Sequence, residues 1–372
     1  MFNKNLEKVE MSKIAAITNS ITTEDVIRLE VGDVNLIPSD LIVKKISSCV
    51  TGEGIHYTKS QGNGNLIEKL LKYEGNYFSD LLNKNIYITA GGSMGIFLSL
   101  QSVLNAGDKV LIFTPTWSHF KEMVNIIGGE PIFFELSEKD NYHISEKLLQ
   151  SIPTNGIKVL ILASPNNPTG TMYSSEELSL LQSWAIKNGI YIIYDQEYEV
   201  YSNIGQSPTF RSLENIMISK SFSKSLGISG LRIGYIFGDG EWVEKVKICG
   251  LYSAMFSNSL IQKALSDSFD ILTVEFERNN QVLKEKANLV VNNLNLECKV
   301  PEGGVYIWAK IPYDDTEFCQ KLLNRKKVSV VPGTAFGAGG ENYIRISLGA
   351  SKEELLDATL RINELLGELE NE

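Results

Sequence analysis

The chain has 372 residues, 43% of them hydrophobic and 22% charged, a composition typical of folded proteins with enough apolar area for a sizeable core. Its length favours two domains, since one domain commonly has about 50–250 residues. The net charge is −10 and no block of Lys and Arg interrupts the chain, so nucleic acid is excluded as an expected partner.

The amino terminus and the cysteines indicate a compartment. Residues 1–13 are polar and mixed in charge, so they lack the apolar region of a secretory signal. No apolar run approaches the roughly 20 residues that span a bilayer, and no membrane association is expected. Cys49, Cys249, Cys298 and Cys319 are widely spaced, which argues against a zinc site and a disulfide framework. We expect no metal and a cytoplasmic location.

From about residue 85, short β-branched runs alternate with longer helical stretches. The predicted strands cover residues 86–89, 109–113, 131–134, 158–162 and 191–194. Between them, segments such as 175–188 carry apolar residues at helical spacing. The alternation predicts an α/β fold with a mostly parallel central sheet covered by helices on both faces. Ligand chemistry is then expected at the carboxyl ends of the strands.

The pattern changes after about residue 280. A long helical stretch leads to strand-like segments at 303–308, 328–331 and 343–347, and then to an amphipathic helix at 352–369. This order predicts a smaller α+β domain. We therefore expect a three-part chain, which consists of an amino-terminal segment packing with the small domain (1–45), a large domain (46–280) and a small carboxy-terminal domain (281–372).

Ser221-Phe-Ser-Lys224 directly follows the strand-like residues 215–219, and Arg232 lies eight positions further on. An amine between hydroxyl side chains, with an arginine nearby, combines a nucleophile with phosphate donors. Taken alone, the run is more simply explained as a solvated loop. Three partner segments elsewhere in the chain favour a functional role for this run.

The first partner is Gly91-Gly92-Ser93, which follows the strand at 86–89 and precedes a predicted helix. Backbone N–H groups at a helix start suit a phosphate dianion. A tight turn is the alternative explanation for the glycine pair.

The second partner is Ser164-Pro-Asn-Asn167-Pro-Thr-Gly170, which follows a buried-looking strand. It predicts an irregular loop at a strand end, where Asn167 can donate to a ligand oxygen. An Asn-Pro turn is the alternative, but the heptapeptide is more specific than such a turn requires.

The third partner is Asp195, at the end of the strand over 191–194, with Tyr198 three residues on. A carboxylate at this place can hold a ring nitrogen in its protonated form. Considered singly, an aspartate here is more simply a helix N-cap.

Together these residues resemble the class I/II aminotransferase family of fold-type I enzymes, from about Gly32 to Arg345. The resemblance implies an enzyme that moves an amino group from an L-amino acid to a 2-oxo acid. It implies pyridoxal 5′-phosphate as the cofactor, bound as a Schiff base to Lys224, which would also carry the proton at the substrate Cα. Asp195 would pair with the pyridine nitrogen, and Asn167 and Tyr198 would hydrogen-bond the phenolic oxygen.

The resemblance also implies a phosphate site and a second subunit. The residues that would hold the phosphate are Gly91, Gly92, Ser93, Ser221 and Arg232. Trp117 matches the aromatic residue that stacks on the cofactor ring, although a core tryptophan is the alternative. Tyr57 resembles the tyrosine that reaches the phosphate from the neighbouring subunit, which implies a homodimer with shared active sites.

Two further matches concern the substrate. Arg345 matches the arginine that clamps the α-carboxylate through its bidentate guanidinium. Gly32 matches the glycine whose backbone approaches the same carboxylate. Asn167 and Trp117 would also border the substrate.

Three segments depart from the family pattern. Gly32-Asp-Val-Asn35 stands in place of Gly-x-Pro-Asp, and Asp195-Gln-Glu-Tyr198 in place of Asp-Glu-x-Tyr. Ser253 stands where dicarboxylate-specific members place an arginine. This suggests that at least one substrate has a neutral or aromatic side chain.

Other activities fit the same residues. A β-elimination lyase or a decarboxylase would retain Lys224, Asp195 and Asn167. A cofactor-binding regulator is a weaker alternative, because such proteins carry a DNA-binding module before this fold and only a short segment precedes Gly32.

Overall fold

The structure is a computed structural model that describes residues 2–51, 56–78, 81–205 and 207–372. The strands are β1 (Ile27–Arg28), β2 (Ile86–Thr89), β3 (Lys109–Thr114), β4 (Glu130–Glu135), β5 (Ile157–Ala163), β6 (Tyr191–Asp195), β7 (Ile216–Ser221), β8 (Gly234–Gly238), β9 (Glu297–Cys298), β10 (Tyr306–Lys310), β11 (Val328–Ser329), β12 (Val331–Pro332) and β13 (Tyr343–Ser347). The helices are α1 (Lys13–Ser20), α2 (Asp40–Thr51), α3 (Gly64–Glu74), α4 (Gly92–Val103), α5 (His119–Ile127), α6 (Glu146–Ser151), α7 (Ser175–Lys187), α8 (Phe222–Ser225), α9 (Gly240–Ser253), α10 (Ser259–Asn293), α11 (Asp315–Lys326) and α12 (Lys352–Leu369).

Seven strands form the central sheet in the order β2-β8-β7-β6-β5-β3-β4. Neighbouring strands are parallel except at β8, which runs antiparallel to both β2 and β7. The prediction of an α/β fold with a mostly parallel sheet is confirmed. Because β5, β6 and β7 run in the same direction, their carboxyl ends lie at one edge of the sheet.

Strand β8 was not predicted, because glycines weaken the strand pattern at both of its ends. Gly234 is required there by close packing. A Cβ at this position would lie 2.7 Å from the carbonyl oxygen of Lys220 and 2.9 Å from the backbone of Gly91. The strand therefore fits between two backbone segments that carry predicted site residues.

A second sheet has the order β12-β13-β10-β9, and all of its pairings are antiparallel. Strand β1, from the amino-terminal segment, pairs in parallel with β11. The side chains beneath this sheet form an apolar core of their own, which includes Leu29, Phe318, Ile346 and Leu365. Helix α10 runs without a break across residue 280, packing on α2, α3 and α12, so the domain boundary proposed there stays a prediction.

Within the described residues, no helix combines the length and the apolar character that a membrane crossing requires.

Candidate active site

A cavity of about 190 Å³ opens where β5, β6 and β7 end. Most of the predicted site residues line it, the exceptions being Tyr57, Gly91 and Ser221. Its lining is Ile14, Gly32, Gly92, Ser93, Trp117, His119, Ala163, Asn167, Asp195, Glu197, Tyr198, Ser223, Lys224, Arg232, Tyr306 and Arg345. Segments far apart in sequence thus meet at the sheet edge where ligand chemistry was expected.

Lys224 lies on the four-residue helix α8, which directly follows β7. The side chain of Ser221 caps this helix by accepting a hydrogen bond from the Ser223 N–H at 2.9 Å. The hydroxyl of Tyr201 donates to the carbonyl oxygen of Lys224 at 2.5 Å, which fixes the backbone. Within the described chain, the Lys224 amine makes no hydrogen bond or ion pair, so it faces the cavity with its donors unused.

Asp195 is the last residue of β6 and is buried. Burial, followed by the nearby charge of Glu197, raises the pKa of its carboxyl to about 8. The N–H of Glu197 donates to its Oδ1 at 3.0 Å, and a turn over residues 197–200 follows rather than a helix. Asp195 is therefore not a helix N-cap, and a cation against it would favour its ionised form.

The start of α4 contributes Gly92 and Ser93 to the lining of the cavity. Its N-cap, Gly91, has φ of 87° and supplies no side-chain hydrogen bond to the helix, so the backbone N–H groups of the first turn remain available. A Cβ at Gly91 would lie 2.5 Å from Nη2 of Arg232. Glycine therefore lets the guanidinium approach the helix start, and the pair of positive groups suits a phosphate dianion.

Arg345, on β13, is a buried cation with no carboxylate partner among the described residues. It is 1% exposed, and it donates from Nη1 to Asn167 Oδ1 at 3.1 Å and from Nη2 to the carbonyl oxygen of Glu30 at 2.5 Å. The aromatic ring of Tyr306 lies 4.1 Å from its guanidinium carbon, while Nε has no hydrogen-bond partner. A buried cation held by neutral groups, with a donor left over, favours an anionic ligand.

Tyr198 and Tyr306 also line the cavity, and Tyr306 lies beside Arg345. Their hydroxyl oxygens lie 2.8 Å apart in a hydrogen bond, and burial raises the pKa of Tyr198. Gly32 lies directly against the Tyr306 hydroxyl. The pair therefore presents neutral hydroxyl groups beside Arg345.

Trp117 stacks on His119, with ring centroids 4.4 Å apart and planes 14° apart. Burial lowers the pKa of His119, so its imidazole is neutral at ordinary pH. The ring pair gives this wall an aromatic, uncharged surface.

Tyr57 does not reach the cavity. Its side chain is 85% exposed and stacks on Phe256 at 5.1 Å. Tyr252 and Met255, close to Phe256 in sequence, are also exposed.

The sequence reasoning missed six lining residues: Ile14, His119, Ala163, Glu197, Ser223 and Tyr306. Only Glu197 has a sequence signal that could have marked it. It is a charged residue that comes soon after an apolar strand, directly behind Asp195 and Gln196. Gln196, the residue that departs from the family pattern, turns away from the cavity, and its Nε2 donates to the carbonyl oxygen of Pro208.

The chain matches the family described as aminotransferase class I and II over residues 24–362. It is 32% identical to the (5-formylfuran-3-yl)methyl phosphate transaminase of Methanocaldococcus jannaschii, over 97% of this chain and 98% of that protein. It is 30% identical to an aspartate aminotransferase of Thermotoga maritima, over 92% of each chain. A crystal structure of an aspartate aminotransferase from Thermotoga maritima superimposes with a TM-score of 0.90 and 27% identity, covering 98% of this chain and 100% of that one.

Proposed function

Because the chain belongs to the aminotransferase class I and II family, we propose that the cavity around Lys224 is its active site. The protein is a pyridoxal-phosphate-dependent aminotransferase of fold type I, and its substrates are an amino acid and a 2-oxo acid. The relatives are named as aminotransferases and transaminases, so the lyase and decarboxylase alternatives are not favoured. The observation that carries the site assignment is an unpaired lysine amine in one cavity with Asp195, Arg232 and Arg345.

The described residues fit the cofactor at both of its ends. An uncapped helix start beside Arg232, with Gly91 leaving the space that a Cβ would fill, suits its phosphate. A buried carboxyl whose pKa is raised by burial and by the charge of Glu197 suits its pyridine nitrogen, because a cation against it would favour the ionised form. When bound, the cofactor supplies an electron-withdrawing ring that accepts the amino group from one substrate and returns it to the other.

Lys224 would hold the cofactor through its amine and, when released, move the proton at the substrate Cα. Its position at the end of β7, on a helix anchored by Ser221 and Tyr201, keeps the amine within the cavity while leaving its donors unused. Asp195 would keep the ring nitrogen protonated. Tyr198 and Asn167 would hydrogen-bond the phenolic oxygen of the ring.

Arg345 would orient the substrate by its α-carboxylate, with Gly32 at the same end. Because Asn167 already accepts a hydrogen bond from Arg345, it links the carboxylate site to the ring site. Trp117 would cover the ring, and its stacking on His119 holds it in place. The phosphate would be held by Gly91, Gly92, Ser93, Ser221 and Arg232.

The exposed aromatic surface supports a homodimer. Tyr57 and Tyr252 are each 85% exposed, and aromatic side chains are enriched at protein–protein interfaces. A second subunit placed there would bring its own Tyr57 to the phosphate end of this cavity. The cytoplasmic location and the domain division at residues 45 and 280 remain part of the same proposal.

At least one substrate would carry a neutral or aromatic side chain. Among the described lining residues, the permanent cations are Lys224, Arg232 and Arg345. Each already has a proposed role, in binding the cofactor or the α-carboxylate. Ser253 donates to the carbonyl oxygen of Cys249 and offers no charge for a distal carboxylate. A steady-state comparison of aspartate with neutral and aromatic amino acids tests this, and a clear preference for aspartate would overturn it.

The function is tested by a spectral screen of the purified holoenzyme against a panel of amino acids, with products identified by mass spectrometry. We expect 2-oxo acids in the first half-reaction, a need for a 2-oxo acid acceptor, and ping-pong kinetics. Release of ammonia without an acceptor would identify a lyase instead.

A further inference from the structure

Glu197 brings a carboxylate to the phosphate end of the cavity. Its Oε2 lies 2.7 Å from the position that a Cβ on Gly92 would occupy, at the first residue of α4. It lines the same cavity as Lys224 and Arg232. Burial raises the pKa of Glu197, whereas Lys224, the Ser221 hydroxyl and Arg232 lower it, so three donor groups lie near the carboxylate.

Of these groups, Ser221 and Arg232 are proposed to bind the cofactor's phosphate, together with the start of α4. A helix start, a serine hydroxyl and a guanidinium form a site for an anion, whichever anion enters it. In the structure the carboxylate of Glu197 lies beside that site, close to Gly92. Two anions in one buried space repel each other, so Glu197 and a phosphate dianion cannot both occupy it without loss of binding free energy.

The neighbouring residues show that this placement is specific to Glu197. Gln196 turns to Pro208, and Glu199 forms an ion pair with Lys220 on the far side of β7. Glu197 alone of these three side chains lines the cavity. Its backbone N–H is held by Asp195 Oδ1, which fixes the start of the side chain beside the cofactor site.

We propose that Glu197 is an internal anion that competes with the cofactor's phosphate for the site formed by the start of α4, Ser221 and Arg232. This inference rests on the proposed function, since it takes the Lys224 cavity as the cofactor site. Glu197 thereby sets how tightly the apoprotein binds pyridoxal phosphate. Binding of the same ring without a phosphate should depend on Glu197 much less.

The test compares two probes, pyridoxal phosphate and pyridoxal, on apoprotein prepared from the full-length holoenzyme. Kd is measured for each probe by absorbance titration with wild type, Glu197→Gln and Glu197→Val. Glu214→Gln, at an exposed position on the loop before β7, is the matched control. Thermal unfolding of each variant verifies the fold, and the valine variant replaces the glutamine variant if that one is unstable.

We expect Glu197→Gln to bind pyridoxal phosphate at least about tenfold more tightly than wild type, because a repulsive charge is removed. Its Kd for pyridoxal should change by a much smaller factor, and both Kd values of Glu214→Gln should stay at the wild-type level. An equal change for both probes would mean that Glu197 acts through Lys224 and would overturn the proposal, as would no change for either.

Borohydride reduction followed by peptide mapping separates this inference from the proposed function. If the cofactor is fixed on Lys224 in every variant while the ratio of the two Kd values does not move, the site assignment stands and the role of Glu197 is wrong. If wild type yields no adduct on Lys224, both are wrong.

Discussion

Two lysines four positions apart have opposite surroundings. Lys220, on β7, is 4% exposed; its Nζ lies 2.9 and 3.0 Å from the carboxylate oxygens of Glu74 and also pairs with Glu199. Those carboxylates raise the pKa of Lys220 far above its ordinary value despite burial. Lys224 faces a cavity and has no such partner within the described residues. An amine whose donors are all used inside the chain stabilises the fold, whereas one whose donors are spare is available for chemistry.

The sharpest test of this contrast is Lys224→Ala. We expect turnover to fall by at least about 10³-fold, since the variant lacks both the attachment point and the proton carrier. The free energy of unfolding of the apoprotein should change by less than about 1 kcal/mol, because the amine makes no hydrogen bond or ion pair within the described residues and only a longer-range attraction to Glu197 is lost. Activity assays and urea unfolding check both parts, and borohydride-stable cofactor in this variant would show that the lysine is misassigned.

Lys220→Met should produce the reverse pattern. The substitution leaves Glu74 and Glu199 buried without a cation, and removal of one partner from a buried ion pair destabilises a protein by about 3–5 kcal/mol. The hydroxyl of Tyr235, which donates to Glu74 at 2.5 Å, cannot replace the charge. The folded fraction should keep a kcat within a few-fold of wild type.

Urea unfolding and kcat per folded molecule, measured on the same preparation, decide the Lys220 prediction. Wild-type stability in Lys220→Met would contradict the structural role of the ion cluster. A loss of kcat as large as that of Lys224→Ala would remove the distinction between the two lysines.

The sequence alone predicts only part of the fold that places the two lysines. Strands 86–89, 109–113, 131–134, 158–162 and 191–194 each end within one residue of the observed strand, because each is a short run of mostly apolar, β-branched or aromatic residues. The two-residue strand β1 was out of reach, since two residues show no periodicity. Its pairing with β11, which lies within the predicted segment 328–331, joins residues about 300 positions apart and leaves no local signal.

The site residues likewise divide into those that a local pattern predicts and those whose placement depends on distant parts of the chain. Residues such as Asp195 and Asn167 were predictable because they follow apolar strands and because the family pattern includes them. Glu197 is marked in the sequence only as a charged residue after an apolar strand, and His119 is not marked at all, since the direction in which a turn residue points depends on the backbone around it. For the same reason, nothing in the run Lys220-Ser-Phe-Ser-Lys224 tells which of the two amines is buried among carboxylates.

Arg345 lies between the two lysines in character, since two of its nitrogens are bonded within the chain and Nε is not. We expect Arg345→Ala to lower kcat/KM, mainly through a higher KM, because the substrate carboxylate loses its paired charge. The corresponding loss of binding free energy should be about 2–5 kcal/mol. Arg345→Lys is the control that retains the charge and loses the bidentate geometry, and its loss should be smaller. Equal KM values for wild type and Arg345→Ala would reject the carboxylate role.

His143 is a weaker, more exposed counterpart of Lys220 and gives the smallest expected effect. Its Nδ1 lies 3.0 Å from Glu177, in the first turn of α7, and its Nε2 lies 3.3 Å from Glu302, just before β10. Hydrogen bonds to Glu177 and then to Glu302 raise its pKa from 6.5 to about 10. The folded state thus holds this proton more tightly than the unfolded state, so the stabilisation is complete below pH 6.5 and disappears as the pH rises through about 10.

His143→Gln should therefore lower the free energy of unfolding by about 1 kcal/mol at pH 6, a modest value because the pair is partly open to solvent. The deficit should shrink towards zero at pH 10.5, where wild-type His143 is also uncharged. Urea unfolding at pH 6, 8 and 10.5 measures it, with His56→Gln at an exposed position as the control. A deficit independent of pH would mean that His143 acts through packing, and the rule drawn from Lys220 would then not extend to partly exposed cations.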